Sequence, residues 1–241
     1  MSDGRPFHFR HFSMVHHEAT MKIGTDAILL GAFVQIPLSG YVLDVGTGSG
    51  ILCMMIAQRC SDCIIEAIDI DQASVDQANF NFLTSQWRSR LSAKLVDIKN
   101  FEPDSENKKY HLVLSNPPFF TSVFKAKQER RNLARHTDTL SHPELISATA
   151  HILHEDGIFA VIIPMDSVDG FLESCHQNHL YLNRQLNIIP IEGRQANRVI
   201  LEFGYIKKDK PEHHSLYIRK TDGSFTPAYH ELLKNFYLGL D

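Results

Sequence analysis

Residues 42–50 read Val-Leu-Asp-Val-Gly-Thr-Gly-Ser-Gly, a short apolar run that ends in a glycine-rich turn. The apolar run predicts a buried β-strand, and the apolar spacing of Ile51–Gln58 predicts a helix directly after the turn. Glycine suits such a turn because it adopts dihedral angles that other residues avoid and lets the backbone approach a ligand closely. The stretch therefore predicts a strand–turn–helix unit with a binding site at the carboxyl end of the strand.

The alternation of apolar strands and amphipathic helices continues along the whole chain. Further strands are predicted over Ile64–Ile70, Leu91–Val96, His111–Leu114 and Asn187–Ile189. Helices are predicted over Ala27–Val34, after Gly24-Thr25-Asp26 as its N-cap region, and over Ala73–Ser85. Strands that alternate with helices imply an α/β domain, with a mostly parallel sheet and helices on both faces. The last strands follow one another without a long helix, so we expect one antiparallel strand. We predict one domain over residues 1–241, with an extended or helical segment over about residues 1–38. In this segment, the alternation of aromatic and polar residues over Phe7–Phe12 predicts an extended stretch or a hairpin.

The composition is typical of a globular protein, with 43% hydrophobic and 22% charged residues. No apolar run reaches the ~20 residues that a membrane helix needs, and the N-terminus lacks the apolar stretch of a signal peptide. We therefore expect a cytoplasmic protein without a membrane partner. The net charge of −4 argues against a surface covered by basic residues, although local clusters decide contacts to phosphate.

The chain has four cysteines, too few for a disulfide framework in a protein of this length. Cys60 and Cys63 form a C-x-x-C pair, but no second pair completes the four ligands of a structural zinc site. The pair falls between a predicted helix and a predicted strand. We expect ordinary surface thiols there and predict no metal site.

Two acidic residues end the second and third predicted strands. Asp69 follows Gly50 by 19 residues, close to the ~20-residue spacing of the acid that binds a ribose hydroxyl. Asp71 is expected to cap the next helix instead. Asp97 ends the third strand and has two open interpretations, a contact to an adenine edge or a cap of its own loop. The pattern indicates a nucleoside ligand.

The turn favours a cationic ligand over a dinucleotide. It reads G-x-G-x-G rather than G-x-G-x-x-G, and it lacks the lysine of a phosphate-binding loop. Asp44 lies just before the turn, where its negative charge would repel a pyrophosphate but accept the sulfonium and ammonium groups of S-adenosylmethionine. We therefore predict S-adenosyl-L-methionine as the cofactor.

The tetrapeptide Asn116-Pro117-Pro118-Phe119 follows the fourth predicted strand. The two prolines stiffen the chain, so that the Asn116 side-chain oxygen and the Pro117 carbonyl can both point into a pocket. Two fixed acceptors suit a planar amine with two N–H donors, and Phe119 can stack on the ring that bears it. Hydrogen bonds to both N–H groups would favour the more tetrahedral, nucleophilic nitrogen. The tetrapeptide therefore predicts the catalytic centre.

A basic cluster follows this tetrapeptide in the chain. It comprises Lys125, Lys127, Arg130, Arg131 and Arg135 against a single acid, Glu129. A solvated helix face would explain the charges alone, but their place at the mouth of the predicted pocket favours contacts to phosphate. We predict Lys125, Lys127, Arg131 and Arg135 as RNA-binding residues, with Arg194 and Arg198 as additions.

Together these motifs resemble the amino-methyltransferases with an Asn-Pro-Pro-aromatic motif. Within that group, the stretches Met21–Ala32, Ala134–Thr137, Leu140–Pro143 and Arg198–Leu201 resemble the bacterial tRNA(Val) adenine N6-methyltransferase family over nearly the whole chain. The resemblance implies a Rossmann-like sheet of seven strands and methylation of the adenosine 3′ of the anticodon. It also implies tRNA as partner, and we expect a monomer.

The resemblance also implies roles for single residues. The cofactor would be bound by Lys22, Thr25, Asp44, Gly46, Thr47, Gly48, Gly50, Asp69, Ile70, Asp97, Ile98 and Asn116. Within this set, Asp44 to Gly50 would hold the methionine part and Asp69 the ribose, whereas Asp97 would contact the adenine. The target base would lie against residues 116–119.

Other functions stay open on the sequence alone. The Asn-Pro-Pro-Phe motif also occurs in ribosomal RNA guanine N2-methyltransferases. Protein glutamine N5-methyltransferases use the same chemistry, but they usually carry an N-terminal helical domain, and only some forty residues precede the turn here. A nicotinamide dehydrogenase would need G-x-G-x-x-G, and a non-catalytic RNA-binding module would be expected to lose Asn116 or the prolines.

Overall fold

The computed structural model describes residues 6–15, 23–105, 107–117 and 140–239. Its strands are β1 (Phe7–His8), β2 (Ser13–Met14), β3 (Ser39–Val45), β4 (Asp62–Asp69), β5 (Leu91–Leu95), β6 (Tyr110–Ser115), β7 (Leu153–Pro164), β8 (Tyr181–Ile191), β9 (Arg198–Gly204) and β10 (Glu212–Arg219). Its α-helices are α1 (Thr25–Phe33), α2 (Ile51–Arg59), α3 (Gln72–Leu83), α4 (His142–Ile152), α5 (Val168–Gln177) and α6 (Pro227–Leu233).

The central sheet has the strand order β10-β8-β9-β7-β6-β3-β4-β5. Strand β9 runs antiparallel to its neighbours β7 and β8, whereas the other neighbouring pairs are parallel. The prediction of a Rossmann-like α/β fold with one antiparallel strand is therefore confirmed. The sheet also carries β10 as an eighth strand at its edge, one more than the seven expected.

The sheet buries apolar side chains on both faces because successive residues of a strand point to opposite sides. Val42 contributes to one buried cluster together with residues of α1, α2, α3 and α6. Leu43 contributes to the other, together with residues of α4 and α5. Helices therefore cover both faces, as predicted.

Polar side chains cap the beginnings of α3 and α4. The Asp71 carboxylate accepts a hydrogen bond from the Ser74 amide at 3.1 Å, so the predicted cap of α3 is confirmed. Helix α4 begins with a capping box between Ser141 and Glu144. Helix α1 begins at Thr25, two residues before the predicted start, with Gly24 as its N-cap.

The N-terminal hairpin predicted around Phe7 and Phe12 is confirmed, because β1 and β2 pair antiparallel. The rings of Phe9 and Phe12 stack with their centroids 4.5 Å apart. The Arg10 amide donates to the Phe236 carbonyl at 2.7 Å. The hairpin therefore packs against the C-terminal segment. No helix in the described ranges is long and apolar enough to cross a membrane.

The expectation of surface thiols at the C-x-x-C pair is wrong. Cys60 and Cys63 form a disulfide, and they are only 3% and 0% exposed. The pair joins the end of α2 to the beginning of β4, and both positions face the buried cluster under α1 and α2. The sequence contained no signal for this burial, since the predicted turn between helix and strand suggested a solvated loop.

Candidate active site

The glycine turn and the predicted catalytic corner meet at one edge of the sheet. In the register of the strands, Val45 at the end of β3 is paired with Ile68 on one side and Ser115 on the other. The Ser115 hydroxyl also donates to the Val45 carbonyl at 2.9 Å. Gly46 and Asn116 therefore follow two neighbouring strand ends, about 5 Å apart at the usual strand spacing.

The three glycines of the turn share an unusual backbone conformation but differ in the space around them. All three adopt positive φ angles, +75° at Gly46, +55° at Gly48 and +84° at Gly50. A Cβ at Gly46 or Gly48 would meet no described atom within 4 Å, whereas a Cβ at Gly50 would lie 2.6 Å from the Phe82 ring. Gly46 and Gly48 thus leave open space beside the backbone, and the cofactor contact at these positions stays a prediction. Gly50 is required by packing, which the prediction of a cofactor contact there did not foresee.

Asp69 fixes the turn from the neighbouring strand. One carboxylate oxygen accepts from the Gly48 amide at 2.9 Å, and the other accepts from the Asp71 amide at 3.0 Å. Because each oxygen has two lone pairs, the carboxylate can still accept bonds from ligand hydroxyls. The adjacent Ile70 is 57% exposed, so an apolar surface lies beside this carboxylate at the sheet edge.

Asp44 is a fully buried carboxylate under the turn. The Thr47 hydroxyl donates to its Oδ2 at 2.7 Å, and the Cys53 thiol donates to the same oxygen at 3.5 Å. Burial raises the pKa of Asp44 to about 7, with a further rise from the charge of Asp69, although the bonds from Thr47 and Cys53 oppose it. Its Oδ1 has no hydrogen-bond partner among the described residues.

Asn116 offers a second buried acceptor without a partner. Its side-chain Oδ1 is buried and has no hydrogen-bond partner in the described part of the chain. Buried polar atoms are normally hydrogen-bonded, so the two orphan oxygens of Asp44 and Asn116 fit donor groups of bound ligands. The following Pro117 is buried, whereas the predicted residues Pro118 and Phe119 lie outside the described residues.

Other predicted cofactor residues have identifiable places. The Asp97 carboxylate accepts from the Lys99 amide at 3.0 Å, which is the capping interpretation; the adenine contact stays a prediction. Ile98 is 4% exposed and packs in the core, so its side chain presents little surface, and its contact to the cofactor stays a prediction. Thr25 is the exposed first residue of α1, and Lys22 lies outside the described residues.

The predicted RNA-binding residues divide into three groups. Arg194 is exposed in the turn between β8 and β9. The Arg198 guanidinium donates instead to the Asp26 carboxylate at 3.1 Å, so at least part of its charge is used inside the protein. Lys125, Lys127, Arg131 and Arg135 lie outside the described residues.

Two residues of the site were missed by sequence reasoning. The first is Cys53, whose thiol donates to Asp44. Cys53 lies among apolar residues of α2, and nothing in that pattern indicates a contact with Asp44. Asn81 is 1% exposed on α3, and its side chain donates to the Ser49 carbonyl at 2.9 Å. A signal existed for Asn81, because it lies three residues after the buried Ala78 on the apolar side of an amphipathic helix.

Comparison with known proteins assigns the chain to a family. A family model described as "Methyltransferase small domain" matches residues 7–166, which include the turn, Asp69 and Asn116. The chain belongs to the methyltransferase small domain family. The methyltransferase is 37% identical over 232 residues to a Bacteroides fragilis protein, covering 96% of this chain and 97% of the relative. It is 35% identical to a Klebsiella pneumoniae protein, covering 96% and 94%. Both relatives are named tRNA1(Val) (adenine(37)-N6)-methyltransferase.

Solved structures share the fold of this methyltransferase. A predicted O-methyltransferase of Agrobacterium tumefaciens superposes with a TM-score of 0.65 at 19% identity, covering 88% of this chain and 96% of that one. A Listeria monocytogenes protein assigned as a class I S-adenosylmethionine-dependent methyltransferase gives a TM-score of 0.55 at 16% identity, covering 79% of this chain and 62% of that one. At these identities the likeness concerns the fold alone.

Proposed function

We propose that this methyltransferase transfers the methyl group of S-adenosylmethionine to N6 of adenosine 37 in tRNA1(Val). The names of relatives that match nearly the full chain support the substrate. The observation that carries the chemistry is the pair of buried acceptors, Asp44 Oδ1 and Asn116 Oδ1, on neighbouring strand ends without partners among the described residues. One acceptor suits a cationic cofactor and the other suits an amine.

The residues at the sheet edge fit the cofactor. Asp44 would accept from the ammonium of the methionine part, for which its orphan oxygen and its charge are suited. Gly46 and Gly48 leave the space that a side chain would fill, and Asp69 would accept from the ribose hydroxyls. When bound, S-adenosylmethionine supplies an electrophilic methyl group on a positively charged sulfur.

Asn116 would orient the amine that attacks this methyl group. The lone pair of an aromatic amine is delocalised into the ring, which makes its nitrogen a weak nucleophile. Hydrogen bonds from the amine to Asn116 Oδ1 and the Pro117 carbonyl would favour the more tetrahedral nitrogen, whose lone pair is available. Rigid placement by the proline also reduces the entropy lost on alignment. The residues of this corner thus bind and orient the amine.

The tRNA substrate fits an enzyme of this size. A base in an anticodon loop already lies outside a regular duplex, so presenting it costs less than the few kcal/mol needed to extrude a paired base. Lys125, Lys127, Arg131, Arg135, Arg194 and Arg198 stay predictions for contacts to the RNA. The monomeric state and the cytoplasmic location also stay predictions.

Asn116→Ala tests the proposed chemistry. We expect kcat to fall by about 10²-fold or more, because removing one such transition-state hydrogen bond has effects of that size. The Kd for S-adenosylmethionine, measured by calorimetry, should change little. Asn107→Ala is the matched control, since Asn107 is exposed just before the opposite end of the same strand β6. Unchanged kcat in Asn116→Ala would contradict the role of this residue.

The target base is tested separately from the residue. Bulk tRNA from a strain that lacks the modification should accept labelled methyl groups from the purified protein, and nucleoside analysis should find the label in N6-methyladenosine. Label in N2-methylguanosine of ribosomal RNA, or only in protein glutamine, would support the alternatives and overturn the proposed substrate.

A further inference from the structure

Asn81 joins three segments of the chain through one buried amide. Its Oδ1 accepts from the Val15 amide at 2.9 Å, and its Nδ2 donates to the Val15 carbonyl at 2.8 Å. The same Nδ2 donates to the Ser49 carbonyl at 2.9 Å. An amide nitrogen has two hydrogens, so both donors of Asn81 are used. Helix α3 thereby connects Val15, the residue just after the N-terminal hairpin, to Ser49 in the glycine turn.

Ser49 lies inside the turn that shapes the candidate cofactor site. It follows Gly48, whose amide is bound by Asp69, and it precedes Gly50, the N-cap of α2. The next residue of α3, Phe82, fills the place that a Cβ of Gly50 would take. Consecutive residues of α3 therefore contact the turn at Ser49 and Gly50, whereas the Cβ positions of Gly46 and Gly48 stay open.

We infer that Asn81 is a positioning residue for the methyl-donor site. Glycines with positive φ have more conformational freedom than other residues, so a turn with three of them needs outside contacts to keep one shape. Asn81 provides such a contact at Ser49 and ties it to Val15. Without it, the turn loses the shape that binds the donor, while Asn116 keeps its own support from Ser115 and β3. This inference rests on the proposed function.

Asn79 provides a matched control on the same helix. Its Nδ2 donates to the Ala93 carbonyl at 3.0 Å, and its Oδ1 accepts from the Ala93 amide at 2.9 Å. These two bonds repeat the pattern that Asn81 forms with Val15, but they are directed to the edge strand β5. A variant of Asn79 therefore loses comparable bonds to backbone without touching the glycine turn.

The experiment compares Asn81→Ala, Asn81→Asp and Asn79→Ala in the full chain. We expect all three to lower Tm, but only the two Asn81 variants to raise the calorimetric Kd for S-adenosylmethionine by about tenfold, the effect of 1.4 kcal/mol. Aspartate keeps the shape of asparagine but lacks the donors to Val15 and Ser49. A role in filling space alone would therefore leave the Kd of Asn81→Asp unchanged. At saturating donor, kcat should stay within about threefold of the unaltered protein.

The outcomes separate this inference from the proposed function. All binding titrations are made well below the lowest Tm of the variants. If Asn81→Ala does not fold, Asn81→Asp replaces it in the comparison. A folded Asn81→Asp protein with the Kd of Asn79→Ala overturns the positioning role. If the unaltered protein binds no donor, both the proposed function and the inference fail. If it binds and methylates while the Asn81 variants bind equally well, only the inference fails.

Discussion

Asp44 carries a buried negative charge in the candidate site, and burial makes this charge dependent on pH. Its pKa is raised from 3.8 to about 7, chiefly by desolvation. Between these two values the folded protein keeps the carboxyl protonated, whereas an unfolded chain would have it ionised. A protonated Asp44 cannot attract the ammonium of the donor. If Asp44 binds the ammonium as proposed, donor binding releases a proton when the pH is below about 7.

We predict that the Kd for S-adenosylmethionine rises by up to tenfold for each pH unit below about 7. Calorimetry between about pH 5.5 and 7.5 measures this, because an α-amino group stays largely protonated there. In Asp44→Asn the donor should bind weakly and with a flat pH profile. The same slope in Asp44→Asn as in the unaltered protein would assign the titration to another group.

Single residues were predictable where a local pattern determines their role. Asp69 could be placed by its spacing from the turn, and Asp71 by its position before a helix. The role of Gly50 could not be predicted, and for Asn81 the helix pattern indicated burial but no partner. Both roles depend on contacts with residues that are distant in sequence, namely Phe82 and Val15. The sequence shows which residue types are present, but such tertiary contacts depend on the angle between helix α3 and the turn.

At the scale of the element, the glycine turn combines an unusual backbone with open space. Ala at Gly48 would require a positive φ, which costs about 1 kcal/mol, and its methyl group would also enter the space that we assign to the donor. Gly223 has the same kind of φ, +87°, and equally open surroundings, but lies in the turn after β10. It is the matched control for backbone strain.

We predict that Gly48→Ala and Gly223→Ala lower Tm by similar amounts, whereas only Gly48→Ala weakens donor binding, by about tenfold or more, which is 1.4 kcal/mol. Thermal unfolding and calorimetry on both variants provide the comparison. Equal donor affinity in the two variants would mean that the open space at Gly48 does not hold the donor.

The bounds of elements with continuous apolar runs were predicted to within a few residues, as for β3 and β4. Strand β8 was predicted only at Asn187–Ile189, yet it extends over Tyr181–Ile191. Its first half contains Asn183, Arg184 and Gln185, which form no apolar run and no alternation. Backbone pairing with β9 and β10 makes this segment a strand, and such pairing overrides local preference.

At the scale of the whole molecule, the N-terminal hairpin and the C-terminal helix α6 pack on the same face of the sheet. Leu233 on α6 is fully buried in the cluster that also contains the hairpin residue Phe9 and the turn-proximal Phe82. The single tryptophan, Trp87, contacts the hairpin through Phe12 at a centroid distance of 5.7 Å. One continuous core thus connects the C-terminal helix, the hairpin and the helices beside the site. We propose on this basis that residues 1–241 form a single domain.

Leu233→Ala tests that proposal because it removes packing at one end of the chain. We expect a loss of about 2–5 kcal/mol of stability, as for other buried Leu→Ala changes, while Leu38→Ala should stay within about 0.5 kcal/mol, since Leu38 is 94% exposed. Urea unfolding is followed by Trp87 fluorescence and by far-ultraviolet circular dichroism. In a single cooperative domain, both signals shift together to the same lower midpoint. If the dichroism of Leu233→Ala showed an earlier transition that Trp87 did not report, the C-terminal helix would unfold separately, and the chain would contain more than one folding unit.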